Sequence, residues 1–274
     1  MSLERSSISR GIVAGIAAAA IAGVVGLADT ASASTTIYNQ TFSSTASGVL
    51  TGTVPTHDTG NAKWELSGAS GSDWLASGAA PASSGSYPNA AEYLPLTVQA
   101  NNIYTLTVTG LSPDVGTTGN WLAVGFLNST SKDLVFGGST QGPFMLLRDN
   151  GYIQAFGGPS ISAGASFNNE NNGSGVGPYT HGGTATVTLN TTGPESEWTA
   201  TFAYNGSTLG SISYGGATSL PSTDLGVGFA SYDSMQGSVG SITLTQTAVP
   251  EPAALGVLAV GGLGLLILKR RKTV

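Results

Sequence analysis

Cysteine is absent from the 274-residue chain. That excludes disulfides, zinc–thiolate sites and a cysteine nucleophile. Charge is scarce as well: charged residues make up 9%, and acids outnumber bases 15 to 9. No basic stripe interrupts the middle of the chain, so nucleic acid is not an expected partner. No stretch of the middle reads as an amphipathic helix. What is abundant is glycine, 40 residues without a Gly-X-Y period, which excludes collagen. Hydrophobic content of 40% suffices for one core, and the length suits a single all-β domain plus processing segments.

Both ends read as addresses. Arg5 and Arg10 form a basic start, and Gly11 to Leu27 is an uncharged apolar run. Ala31-Ser32-Ala33 then offers small residues where signal peptidase cuts, which predicts Ser34 as the mature N-terminus. Residues 1–33 are therefore expected to be a removed signal peptide.

At the other end, Val249-Pro250-Glu251-Pro252 precedes sixteen uncharged residues, Ala253 to Leu268, and then Lys269, Arg270, Arg271 and Lys272. As a helix that run reaches about 24 Å, short of a bilayer core of about 30 Å. Snorkelling basic side chains can cover the difference. The basic tail 269–274 is expected to stay cytoplasmic, which puts residues 34–248 outside the inner membrane. This three-part end resembles the PEP-CTERM sorting signal of Gram-negative bacteria. The resemblance covers about the last 26 residues. It implies an exosortase-type membrane protease as processing partner, and a setting of exopolysaccharide and biofilm production. The precursor would be anchored in the inner membrane, and the mature protein would belong to the envelope, surface or matrix.

The middle, 34–248, holds twelve acids and only Lys63, Lys132 and Arg148 as bases. Its pattern is β. Thr36–Phe42, Tyr104–Thr109, Thr184–Leu189, Trp198–Tyr204 and Ser241–Thr245 alternate apolar residues with Thr or Ser, the period of half-buried strands. Trp121–Leu127 and Pro143–Arg148 are more continuously apolar, as central strands are. Asp149-Asn150-Gly151 and Asn205-Gly206 predict hairpin turns, because these residues tolerate positive φ. Longer Gly-, Ser- and Pro-rich loops are expected over 76–90 and 157–182. Roughly twelve to fourteen strands without helices must form two packed antiparallel sheets or a barrel.

The strand order, from the Tyr38/Phe42 strand through Trp121–Phe126, Gly142–Leu147 and Trp198–Tyr204 to Gly240–Thr245, resembles a concanavalin A-like (laminin G-like) jelly roll. That resemblance implies a two-sheet β-sandwich and a relation to lectins and glucanases. An immunoglobulin-like sandwich is the rival architecture.

Catalytic chemistry is thin. Jelly-roll glucanases place carboxylates on one strand as Glu-x-Asp-x-x-Glu. The nearest approach, Glu195-Ser-Glu197-Trp198-Thr199-Ala200, lacks the last acid, follows Gly193-Pro194 and predicts a solvated turn. No Gly-x-Ser-x-Gly elbow or phosphate-cradling loop occurs, and His57 and His181 read as exposed loop residues. No catalytic residue is assigned, and no metal ligand set is complete. Calcium is the one ion left open, with Asp58, Asp73, Asp114 or Asp233 supplying oxygen. Sugar faces stack on aromatic rings. Trp74, Tyr87, Trp64 and Tyr179 lie in polar stretches and are the expected stacking residues, whereas Trp121 and Trp198 are expected in the core. The chain thus reads as an exported, non-catalytic surface protein that binds or structures extracellular polysaccharide. A glycan hydrolase or lyase, or a purely structural coat or adhesion protein, are the alternatives.

Overall fold

Alternation of small polar and apolar residues sets the strands, and the turns between them set the pairing. In the computed structural model, the described residues are 32–67, 73–80, 90–112, 121–128, 142–148, 153–157, 167–168, 181–214, 224–232 and 237–250. All but Ser32 belong to the unit Ala33–Glu251. The signal segment up to Ala31, and everything from Glu251 through the expected helix 253–268 and basic tail, lie outside them. Among the described residues no helix is long and apolar enough to cross a membrane.

Two antiparallel sheets form a jelly-roll sandwich. The first runs β12 (Ser207–Tyr214), β11 (Trp198–Tyr204), β10 (Gly183–Asn190), β5 (Asn102–Leu111), β14 (Ser241–Ala248), β1 (Ser34–Thr41), β2 (His57–Asp58). The second runs β3 (Glu65–Ser67), β4 (Ala90–Thr97), β13 (Asp224–Tyr232), β6 (Trp121–Asn128), β7 (Phe144–Arg148), β8 (Ile153–Phe156), β9 (Phe167–Asn168). Ser34, the expected mature N-terminus, is the first residue of β1.

The two sheets use alternation differently. In the first, β5 and β10 alternate buried and half-buried residues along their length. Leu106, Val108, Val187 and Leu189 point into the core, and threonines point out. In the second, both faces are apolar. Leu94, Val124, Met145 and Val227 join the inter-sheet core. Tyr93, Trp121, Leu127, Phe144, Leu146 and Phe156 form a second buried cluster on the opposite face. Such two-sided burial explains why β6 and β7 read as continuous apolar runs.

The Asn205-Gly206 hairpin has φ of +48° and +79° at its two turn residues. Both are positive, which gives the twist a two-residue hairpin needs. The 149–151 turn lies outside the described residues, but its flanking strands pair as expected, with Leu147 opposite Ile153. The strands β4 and β13, like the short β2, β3 and β9, have no counterpart among the sequence expectations. Pro95 sits inside β4, and Gly226 and Gly228 sit inside β13. β3 pairs only with residues 91–93 of β4, so among the described residues Pro95 occupies a stretch with no strand on that side, where its missing N–H costs nothing.

Candidate functional site

Four expected stacking aromatics were the sequence's lead, and two of them are in the core. Trp64 is 1% exposed and Trp74 0%. Trp74 packs edge-on to Phe229 with centroids 4.4 Å apart, and Trp64 lies 5.3 Å from the same ring. Phe42 closes the group, 5.7 Å from Phe229. Neither indole presents a face to a ligand, which corrects the expectation for both. The physical reason is that their polar segments fold inward. Leu50 N–H donates to Trp74 O at 2.7 Å, Gly52 N–H to Trp64 O at 2.8 Å, and Trp64 N–H to Thr53 O at 2.9 Å. The loop backbone is satisfied within itself, and the rings plug the core beneath it. Tyr87 and Tyr179 lie outside the described residues. Trp121 and Trp198 are buried, as expected.

The acids behave variously. Glu195 and Glu197 form an exposed 3-10 turn before β11, as the preceding Gly-Pro predicts. Asp58 caps its own loop, accepting from Gly60 N–H at 2.8 Å and from Ala62 N–H. His57 and His181 are exposed. No group of three or more His, Asp or Glu that could hold a metal occurs among the described residues. Asp114 and Asp233 lie outside them.

One pair was not foreseen. Glu92 lies on the core-facing side of β4, in phase with Leu94 and Leu96, and is 0% exposed. The Thr51 hydroxyl lies 2.6 Å from Glu92 Oε1 and 3.0 Å from Asp73 Oδ1. The other oxygen, Glu92 Oε2, is buried without a hydrogen-bond partner. Burial, opposed by the Thr51 bond and by a backbone bond from Trp74 and reinforced by the charge of Asp73, raises the Glu92 pKa to about 7. A hydroxyl has one hydrogen. Thr51 is the donor to both carboxyl oxygens, so its hydrogen is shared between them, while burial of Glu92 favours the protonated form of that side chain.

The outer face of the second sheet supplies the remaining chemistry. Tyr93 OH donates to Glu65 Oε2 at 2.7 Å across the β3–β4 pair, and burial together with Glu65 pushes its pKa up. Arg148 Nε donates to Gln154 Oε1 across β7–β8. Phe144 and Phe156 stack on each other across the same β7–β8 pair, with centroids 5.2 Å apart. Aromatic surface with a few placed polar groups is the makeup of a small-molecule or sugar site. The rings are shielded, each 8% exposed or less. On the strands of this sheet, Glu65 on β3 is exposed and Arg148 on β7 is half-buried.

No protein-family model matches the chain, and no curated protein sequence matches it. Among solved structures it is similar to the Emp47p carbohydrate recognition domain, with TM-score 0.45 and 11% identity over 77% of this chain and 98% of that one. It is likewise similar to an endo-1,3-beta-glucanase from Streptomyces sioyaensis, with TM-score 0.44 and 11% identity over 78% and 97%. A Lotus tetragonolobus seed lectin gives TM-score 0.45 and 11% identity over 80% and 100%. Likenesses this distant carry no argument about ligand or activity.

Proposed function

We propose that the chain is an exported, C-terminally sorted protein of the cell surface or extracellular matrix, whose sandwich binds or structures polysaccharide without acting on it chemically. The observation that carries this reading is the ordered end: Pro250-Glu251-Pro252, sixteen uncharged residues, then four consecutive basic residues. Signal peptidase and an exosortase-type protease would be its processing partners. The buried rings on the outer face of the second sheet, with the polar groups of Glu65, Arg148 and Gln154 on its strands, support a sugar-facing role.

Deleting 253–274, or replacing Glu251 with Ala, is expected to change the protein's mass and move it between membrane, surface and medium fractions. Immunoblots of fractionated cells check this. Identical mass and distribution in both variants refute the sorting half. Glycan-array binding of the full chain in detergent tests the other half.

The Asp73–Thr51–Glu92 arrangement favours one second reading, a glycan hydrolase or lyase. Paired carboxyls with one held protonated near neutrality are what acid catalysis on glycosidic bonds uses. Hydrolysis with a pH limb near 7 that vanishes in Glu92→Gln would establish it. The closed position of Glu92, 0% exposed, weighs against it.

A further inference from the structure

The first sheet's outer face carries an arrangement that neither the aromatic nor the acidic candidates use. β1, β5, β10, β11, β12 and β14 contain no Asp, Glu, Lys or Arg. In a domain with twelve acids, this leaves one broad sheet face without charge. Its centre is a grid of threonines set by register. Thr188 pairs with Thr105, and Thr105 with Thr245. In the neighbouring row Thr186 pairs with Thr107, and Thr107 with Thr243. The first row continues through Thr201 and Ser211 on one side and Thr36 on the other, so hydroxyls line up across six strands.

All six grid residues are half-exposed. Thr243 donates to Asn39 at 3.3 Å, while the other five hydroxyls bond to no described side chain. Strand geometry fixes the spacing at about 4.8 Å between strands and about 6.7 Å along each one. The grid therefore repeats in two dimensions, and every point is a hydroxyl able to accept a hydrogen bond, five of the six with their hydrogen also unspent on a described side chain.

We propose that this face is a docking surface for an ordered, uncharged polysaccharide, engaged through the threonine grid rather than through a sugar pocket. The proposal rests on the polysaccharide reading above and names the surface and the physical state of the partner. Charge complementarity selects the partner. A face with no cation has nothing for a phosphate, sulfate or uronate, and one with no anion does not attract a basic protein. With no indole or phenol on the grid, single sugars cannot stack. Each hydroxyl contact is worth little net, because water offers the same bond. Binding then requires many contacts at once, which only a repeating partner supplies. Sheet twist rotates each strand against the next, so the match is best over the central β10–β5–β14 strands. A short soluble oligosaccharide of the same glycan should bind far more weakly than its packed, insoluble form.

The test uses the full chain in detergent with microcrystalline cellulose, insoluble β-1,3-glucan particles and their soluble hexasaccharides. It compares wild type with Thr105→Val/Thr107→Val and Thr107→Lys, each first shown to unfold cooperatively. Expected is retention on at least one insoluble glycan, little hexasaccharide binding, and a drop in apparent affinity of tenfold or more in both variants. Equal retention of both variants would overturn the proposal while leaving polysaccharide binding standing. No retention of wild type on either solid would overturn it as well; if glycan-array binding is also absent, the polysaccharide reading falls with it. Adsorption to growing ice without glycan retention would overturn it too, showing that the grid orders water.

Discussion

Between the ordinary carboxylate range and pH 7, Glu92 holds a proton in the native state that the unfolded chain releases. Its contribution to stability is therefore full below the carboxylate range, falls as pH rises toward 7, and stays low above it. The shift from 4.5 to about 7 bounds the loss at roughly 3 kcal/mol. Thermal unfolding midpoints should fall from pH 5 to pH 8 in the wild type. Glu92→Gln keeps the shape and a donor for Thr51 but removes the titration, so it should flatten this profile and stabilise the protein at pH 8. An unchanged slope in that variant would show that another group sets it. The side chain that decides this was not legible in the sequence, because a single Glu between Ala91 and Tyr93 does not show whether it faces core or solvent. Trp64 and Trp74 fail in the opposite sense. Polar neighbours suggested exposure, but those neighbours form the closed loop that drives the rings inward.

At the scale of elements, alternation was enough for β5, β10, β11 and β14, whose two faces differ sharply. It failed for β4 and β13 because proline and glycine break the pattern there. In β13 the glycines answer to packing. A Cβ on Gly228 would lie 2.0 Å from the Glu92 carbonyl oxygen and 2.8 Å from Tyr93 Cα. Both are backbone atoms, so no rotamer relieves the clash. Gly228→Ala should destabilise by at least about 1–3 kcal/mol, seen as a lower urea midpoint at unchanged slope. A wild-type midpoint would mean that β4 and β13 can separate without cost. The Asn205-Gly206 turn is the opposite case. Its two residues specify positive φ from the sequence alone, and the Asn205 side chain accepts from Thr184 N–H at 2.8 Å to tie the turn to β10.

For the molecule as a whole, charge is divided between fold and addresses. The chain's basic clusters lie at its two ends, while the domain between them is acidic, with six strands of one sheet free of Asp, Glu, Lys and Arg. Such a domain should stay on a neutral matrix when salt is raised, because no ion pair is available to be screened. Retention on an insoluble glycan is expected to change less than twofold between 0.05 and 0.5 M NaCl, measured by depletion from solution. A steep loss with salt would point to charged contacts instead, made by groups such as Glu65 or Arg148.

The sequence by itself determined what depends on near neighbours: the strand periods, the Asn-Gly hairpin, the lack of any thiol chemistry, and the sorting end, whose parts lie within 26 residues. Only the tertiary structure decided what depends on distant partners. It brought Asp73 and Glu92 to one hydroxyl, sealed Trp64 and Trp74 against Phe229, and slid six strands into the register that aligns their threonines. Period fixes which residues share a face, but pairing across sheets fixes which of them meet. That pairing is set by the burial of both faces of the second sheet and one face of the first, a global balance that no local stretch contains.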